Sequence, residues 1–255
     1  MSAPIEIRVI NLSRSKDRLE LIAKDLESAG LQWKRLEAIE LDKPTFLSQS
    51  LYRRKKALSV NSRDLTRGEL GCFLSHMAAL NDFLDGTGKY LLVLEDDVIV
   101  SPEAASDFLE LPQLLDGKLG KAWHCANLTM SYNKRFRVLF DFNSIQVRRA
   151  FYFPLLASAL LWTRQGARDF RDSVLRSGIY LPVDDQVRSH LAKTSLGLSL
   201  SRPLFELRSF PTTIALRPSE RQQILSAMRK KVPSYFHAYR HQLLSLFSRS
   251  IFGAS

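Results

Sequence analysis

Along the chain the spacing of apolar positions switches repeatedly between the short runs of strands and the three-to-four-residue period of helices. "IEIRVINL", residues 5–12, has a strand's pattern. The following "SRSKDRLELIAKDLESAG" sets Leu19, Ile22, Ala23 and Leu26 on one helical face, with Gly30 placed to end it. "LQWKRLEAI", 31–39, predicts a second strand. "LTRGELGCFLSHMAALNDFL", 65–84, predicts a second helix, opened by Thr66 with Glu69 three residues on. That is the capping-box spacing, in which a hydroxyl and a carboxylate satisfy free amides at a helix start. Gly86 and Gly88 break the chain before a third strand, Lys89 to Leu94.

Ser101 and Pro102 then open another helix, while "KAWHCANLT" (121–129) and "LLASALLWT" (155–163) read as strands. "RQGARDFRDSVLRSG" (164–178) reads as a helix, and "YLPVDDQVRSHLA" places Pro182, Asp184 and Asp185 at the mouth of a short one. Strands alternating with helices predict an α/β fold, a mostly parallel central sheet with helices on both faces. In such sheets ligands bind outside the carboxyl ends of the strands.

One such end carries three acids. "LLVLEDDVIV", residues 91–100, sets Glu95, Asp96 and Asp97 inside an apolar run. An unpaired carboxylate taken out of water costs several kcal/mol or more, so either the strand stops at Leu94 or something positive meets the acids. The first case is a solvated turn. The second suits a hard divalent cation, Mn2+ or Mg2+, which takes carboxylate oxygens and keeps other positions for water and phosphate.

Composition changes the picture in three ways. With 255 residues, 45% hydrophobic and 25% charged, the chain is ordinary globular material for one large domain, taken as 1–218, with an appendage at 219–255. The two cysteines, Cys72 and Cys125, are too few and too far apart for a disulfide framework or a zinc site, and they suit a reducing compartment. The N-terminus reaches charged residues too soon for a signal peptide, and no apolar run approaches the roughly 18 residues of a membrane span, so a cytoplasmic protein is expected.

The net charge of +11 calls for an anionic partner. After Glu220 there is no acid, while Arg221, Arg229, Lys230, Lys231, Arg240 and Arg249 all follow. Phe236, Tyr239, Leu243, Phe247 and Ile251 fall near one face of a helix in that tail, the pattern of a surface-lying membrane helix or of one packed on a protein face. "YRRKKALSV", 52–60, is a basic stretch that reads as a solvated loop or an attractor of phosphates, and His237 and His241 lack the glutamate of a zinc-protease helix. A nucleic-acid binder would interleave exposed aromatics with a basic stripe, and a nucleotide-phosphate loop would need glycines and a lysine; neither pattern is present. The competing classes are a metal-dependent transferase, of sugars or of nucleotidyl or phosphoryl groups, and a binding protein whose charge is its whole function.

"VINLSRSKDR", "LTRGELGCFLSHMAAL", "YLLVLEDDV" and "LPVDDQV", in that order, resemble the motifs of glycosyltransferase family 25, the lipooligosaccharide biosynthesis transferases, over approximately residues 5 to 190. The resemblance implies a glycosyltransferase A-type fold and inverting transfer of a sugar, usually galactose from UDP-galactose, to a lipid-linked lipopolysaccharide or lipooligosaccharide acceptor. With such an acceptor, a membrane role for the basic tail would place a cytoplasmic enzyme peripherally on the inner face of a bacterial inner membrane. The resemblance sets Glu95, Asp96 and Asp97 on the metal and diphosphate motif, with Asp97 as direct ligand and Glu95 or Asp96 reaching the ion through water or the ribose. Asn11, Arg14 and Arg18 fall where a donor nucleotide crosses the sheet edge, and Glu69, Ser75 and His76 become donor-side contacts. Asp184 or Asp185 is the candidate base for the acceptor hydroxyl, and His190 a further candidate metal ligand.

Overall fold

The computed structural model describes residues 5–41, 50–131 and 134–210. In chain order the strands are β1 (Ile5–Asn11), β2 (Lys34–Glu37), β3 (Tyr90–Glu95), β4 (Val98–Ile99), β5 (Cys125–Asn127), β6 (Phe136–Phe142), β7 (Ile145–Ala150), β8 (Ala159–Thr163), β9 (Gly197–Leu200) and β10 (Glu206–Leu207). The helices are α1 (Lys16–Ser28), α2 (Arg54–Asn61), α3 (Arg67–Asp85), α4 (Pro102–Leu119), α5 (Arg164–Ser177) and α6 (Val183–Thr194). The expected starts at Thr66 and Ser101 hold: Thr66 and Glu69 form the reciprocal capping box of α3, and Ser101 caps α4 with Pro102 in its first turn; Thr163 caps α5, and most of the basic stretch 52–60, read as a solvated loop, is instead helical as α2.

Eight strands form one sheet in the order β2-β1-β3-β8-β5-β9-β7-β6, and β10 pairs with β4 in a separate ribbon. β1 runs parallel to β2 and β3, and β5 parallel to β9. β8 lies antiparallel between β3 and β5, and β7 is antiparallel to both β6 and β9. The sheet is therefore mixed, which corrects the mostly parallel expectation. The reason is a hairpin turn at Asn143 and Ser144, both at positive φ (45° and 63°), whose left-handed pair fits the twist of two antiparallel strands. It reverses the chain, so β7 and β8 run against β3 and β5. The signal was weak because β6 has largely half-buried or exposed positions and no apolar alternation to mark it.

Helices cover both faces. Ile7, Val9, Tyr90, Leu92 and Leu94 pack with Ile22 and Leu26 of α1 and with Phe108, Leu111 and Leu115 of α4. Ile10, Leu91, Val93, Leu160 and Trp162 pack with Phe73, Met77 and Leu80 of α3, Phe170 and Val174 of α5, and Val187 and Leu191 of α6. Each fully buried side chain of this size is worth about 1.5–3 kcal/mol, so the two layers hold β3 rigidly. Alternation along β3 then fixes the next residue: Leu91 and Val93 face α3, so Glu95 does too. The boundary at 218, the tail helices with Phe236 to Ile251, and His237 and His241 lie outside the described residues.

Candidate active site

Glu95 ends β3 against α3. Its amide donates to the Ser158 carbonyl at 2.8 Å, and its Oε2 accepts from the Ser158 hydroxyl at 3.2 Å. Its Oε1 lies 3.3 Å from His76 Nε2 and 3.6 Å from Cys72 Sγ. Burial works to raise the Glu95 carboxyl, but His76, Ser158 and Cys72 outweigh it and hold the group below its ordinary value. Burial, reinforced by the Glu95 charge, pushes the Cys72 thiol well above its own. Cys72, His76 and Glu95 form a group whose ligand atoms all lie within 4.8 Å of one another, an arrangement that can hold a metal ion.

Asp96 turns to the other side of the strand end. Its Oδ2 accepts from Asn11 Nδ2 at 2.7 Å, and Arg18 Nη1 lies 3.5 Å from its Oδ1. The same Asn11 amide donates to the Ser15 carbonyl, and Asn11 Oδ1 accepts from Arg35. The Phe210 ring lies over the Arg18 guanidinium, 4.4 Å from centroid to carbon. Arg14 is placed elsewhere, in an exposed ion pair with Glu40. Of the two arginines one helical turn apart, Arg18 is the one that meets the acids.

Asp97 Oδ1 is buried with no hydrogen-bond partner. Burial first, then the charges of Glu95 and Asp96, push its carboxyl up to about 6. Its main chain is fixed from the opposite side: the Asp97 carbonyl accepts from the Arg208 amide at 2.7 Å, and the Arg208 guanidinium bonds both the Val98 carbonyl and Asp25. A buried carboxylate on a fixed main chain, with an orphaned oxygen and two acidic neighbours, fits a hard divalent cation, whose charge would supply the missing partner.

α6 begins with Pro182 at its N-cap, so Asp184 and Asp185 lie in its first turn, where the helix dipole favours negative charge. Asp184 Oδ1 accepts from the Asp185 amide at 2.9 Å. Burial, then Asp185, raise the Asp184 carboxyl, and the charge of Glu95 adds to the effect across the site. The charge of Asp185 also reaches Arg63.

A match to the family model "Glycosyltransferase family 25 (LPS biosynthesis protein)" covers residues 5–155, more than half of the chain. The chain belongs to glycosyltransferase family 25. Among curated proteins, this family 25 chain is 34% identical over 121 residues to procollagen galactosyltransferase 2 of Homo sapiens, an alignment covering 44% of the chain and 18% of that protein. It is 36% identical over 98 residues to procollagen galactosyltransferase 1 of Danio rerio, covering 36% of the chain and 16% of that protein. The match thus spans less than a fifth of the length of these relatives. A solved structure, the apo-form glycosyltransferase GlyE of Streptococcus pneumoniae TIGR4, aligns with 14% identity and a TM-score of 0.44, covering 96% of this chain and 64% of that one.

The remaining candidates of the family 25 chain have these surroundings. Glu69 closes the capping box and takes Arg63 in a two-pronged ion pair. Ser75 is fully buried, accepting from the Ile39 amide and donating to the Gly71 carbonyl, both at 2.8 Å. His190 lies with His124 and Asp169 near the end of the sheet opposite the acids, edge-on to Phe170, and burial holds its imidazole down to about 4. Asn127-Leu128-Thr129 has the form of an N-glycosylation acceptor but is internal: Asn127 is fully buried and spends its side chain on the backbone of Leu155, Leu156, Thr129 and Met130. Sequence reasoning passed over Cys72, Ser158 and Arg208, which reach the triplet from three separate segments. Only Cys72 carried a usable signal, its place four residues before His76 on one helix.

Proposed function

We propose that this family 25 chain transfers a hexose, galactose by the names of its relatives, from a UDP-sugar to a hydroxyl of a lipopolysaccharide-type acceptor, with inversion. The observation that carries this reading is the orphaned, buried carboxylate oxygen of Asp97 within an acid triplet that is electrostatically linked to Asp184. Asn11 and Arg18, already committed to Asp96, are the groups nearest to hand for the donor's ribose and diphosphate. A divalent ion, Mn2+ or Mg2+, held by Asp97 would supply positive charge against the diphosphate. The remaining work belongs to the chain.

In a single displacement the acceptor oxygen bonds to the anomeric carbon as the bond from that carbon to the UDP oxygen breaks. The hydroxyl proton must leave at the same time. Asp184 is the better base of the acid pair, because burial first and then neighbouring carboxylates make it more basic than an ordinary aspartate. Incubation with a panel of nucleotide sugars and Mn2+ tests the reading. UDP release from UDP-galactose above all others supports it, and release of pyrophosphate or no turnover of any sugar nucleotide refutes it.

A further inference from the structure

The triplet's first acid belongs to two neighbourhoods, and the one facing α3 is chemically unlike the one at Asp97. Cys72 and His76 stand four residues apart on α3, one above the other, and Glu95 comes to both from the end of β3. The His76 to Glu95 separation is longer than most hydrogen bonds. An N–H···O contact has its mode near about 2.9–3.0 Å, against 3.3 Å here. The two contacts to Glu95 also match two edges of a tetrahedron of ligands around one ion, and the three ligand atoms all lie within 4.8 Å of one another. With bonds of about 2.0–2.1 Å to nitrogen and oxygen and about 2.3 Å to sulfur, the N···O edge is about 3.4 Å and the S···O edge about 3.6 Å. The observed values are 3.3 Å and 3.6 Å.

We propose that Cys72 Sγ, His76 Nε2 and Glu95 Oε1 form a second cation site, selective for Zn2+ and ions like it over Mg2+ and Mn2+. One thiolate and one imidazole with a single carboxylate are a borderline-soft set, which magnesium and manganese do not favour. The Ser158 hydroxyl on the other Glu95 oxygen supplies the outer hydrogen bond that orients a ligating carboxylate. Three protein ligands leave one tetrahedral position for water or an exogenous group. On ligation the Cys72 proton passes to solvent and the sulfur binds as thiolate. The two-cysteine count hid this site, because one cysteine suffices when histidine and glutamate complete the set.

The inference is independent of which sugar is transferred, and its test uses Co2+ as a spectroscopic stand-in for zinc on the full chain. The expected result is one equivalent of Co2+ with a sulfur-to-cobalt charge-transfer band, displaced by equimolar Zn2+ and retained in large excess of Mg2+. Cys125→Ser should keep the band, since Cys125 is fully buried outside this group, and Cys72→Ser should lose it. No such band in the unaltered chain, displacement by Mg2+, or a band that survives Cys72→Ser overturns the proposal. Should Cys72→Ser not fold, His76→Gln serves in its place, with a shifted and weakened band expected and an unchanged one decisive against. Failure of the sugar-nucleotide panel leaves this result untouched, and the reverse also holds.

Discussion

Asp97 and Asp184 are two carboxylates that their surroundings push toward the neutral form, in each case through burial first and neighbouring acids second. A cation relieves the first. Isothermal titration of Mn2+ should therefore show binding to the unaltered chain that is lost or weakened at least about tenfold in Asp97→Asn, which keeps size but removes charge. Asp184→Asn should lower kcat by about a hundredfold or more with UDP-sugar binding near normal, and Asp185→Asn should do much less. Equal losses in the two variants, or lost donor binding, would assign the pair to donor contact or to the helix start. The adjacency of these acids was plain in the sequence. Which of two neighbours matters was not, because Arg14 and Arg18, or Asp184 and Asp185, differ only in what the fold brings opposite them.

α3 carries more of the site than any other helix, and its position depends on a contact with no side chain. A Cβ built on Gly71 would meet the Ile39 carbonyl oxygen at 2.4 Å, so Gly71→Ala must force α3 off the segment after β2. A loss of about 1–3 kcal/mol is expected, read as a lowered Tm together with weaker binding at Cys72 and His76. The start of α3 is also pH-sensitive. Burial works to raise Glu69, but Arg63 and the Thr66 amide prevail and hold it below the ordinary glutamate value of 4.5. A depressed carboxylate contributes stability that is present above that value and lost as pH falls through the lower folded one. Glu69→Gln should thus cost about 1 kcal/mol near neutral pH, and the gap to the unaltered chain should close on acidification below 4.5. A gap that is constant with pH would show that the charge of Glu69 contributes nothing. The capping box was legible beforehand because it is local; the Gly71 contact was not, since it joins segments 32 residues apart.

At the scale of the whole molecule, the C-terminal tail is basic, and no helix among the described residues is long and apolar enough to cross a membrane. Each lysine or arginine beside an anionic leaflet is worth about 1 kcal/mol, so the tail is the segment through which we expect the enzyme to meet a lipid-linked acceptor. Truncation after Pro218 should abolish cosedimentation with anionic vesicles at low salt and leave UDP-sugar hydrolysis largely intact. Vesicle binding equal in both forms would remove that role, and unfolding on truncation would assign the tail to the core. The sequence by itself determined the α/β class, the starts of α3 and α4 and the acid triplet at a strand's end, because each follows from local periodicity and capping within a few residues. Only the tertiary structure decided that the sheet is mixed, that Arg18 rather than Arg14 meets Asp96, and that Cys72 and His76 meet Glu95. Strand order and partners opposite a site are fixed by contacts between distant segments, and local patterns carry no information about those.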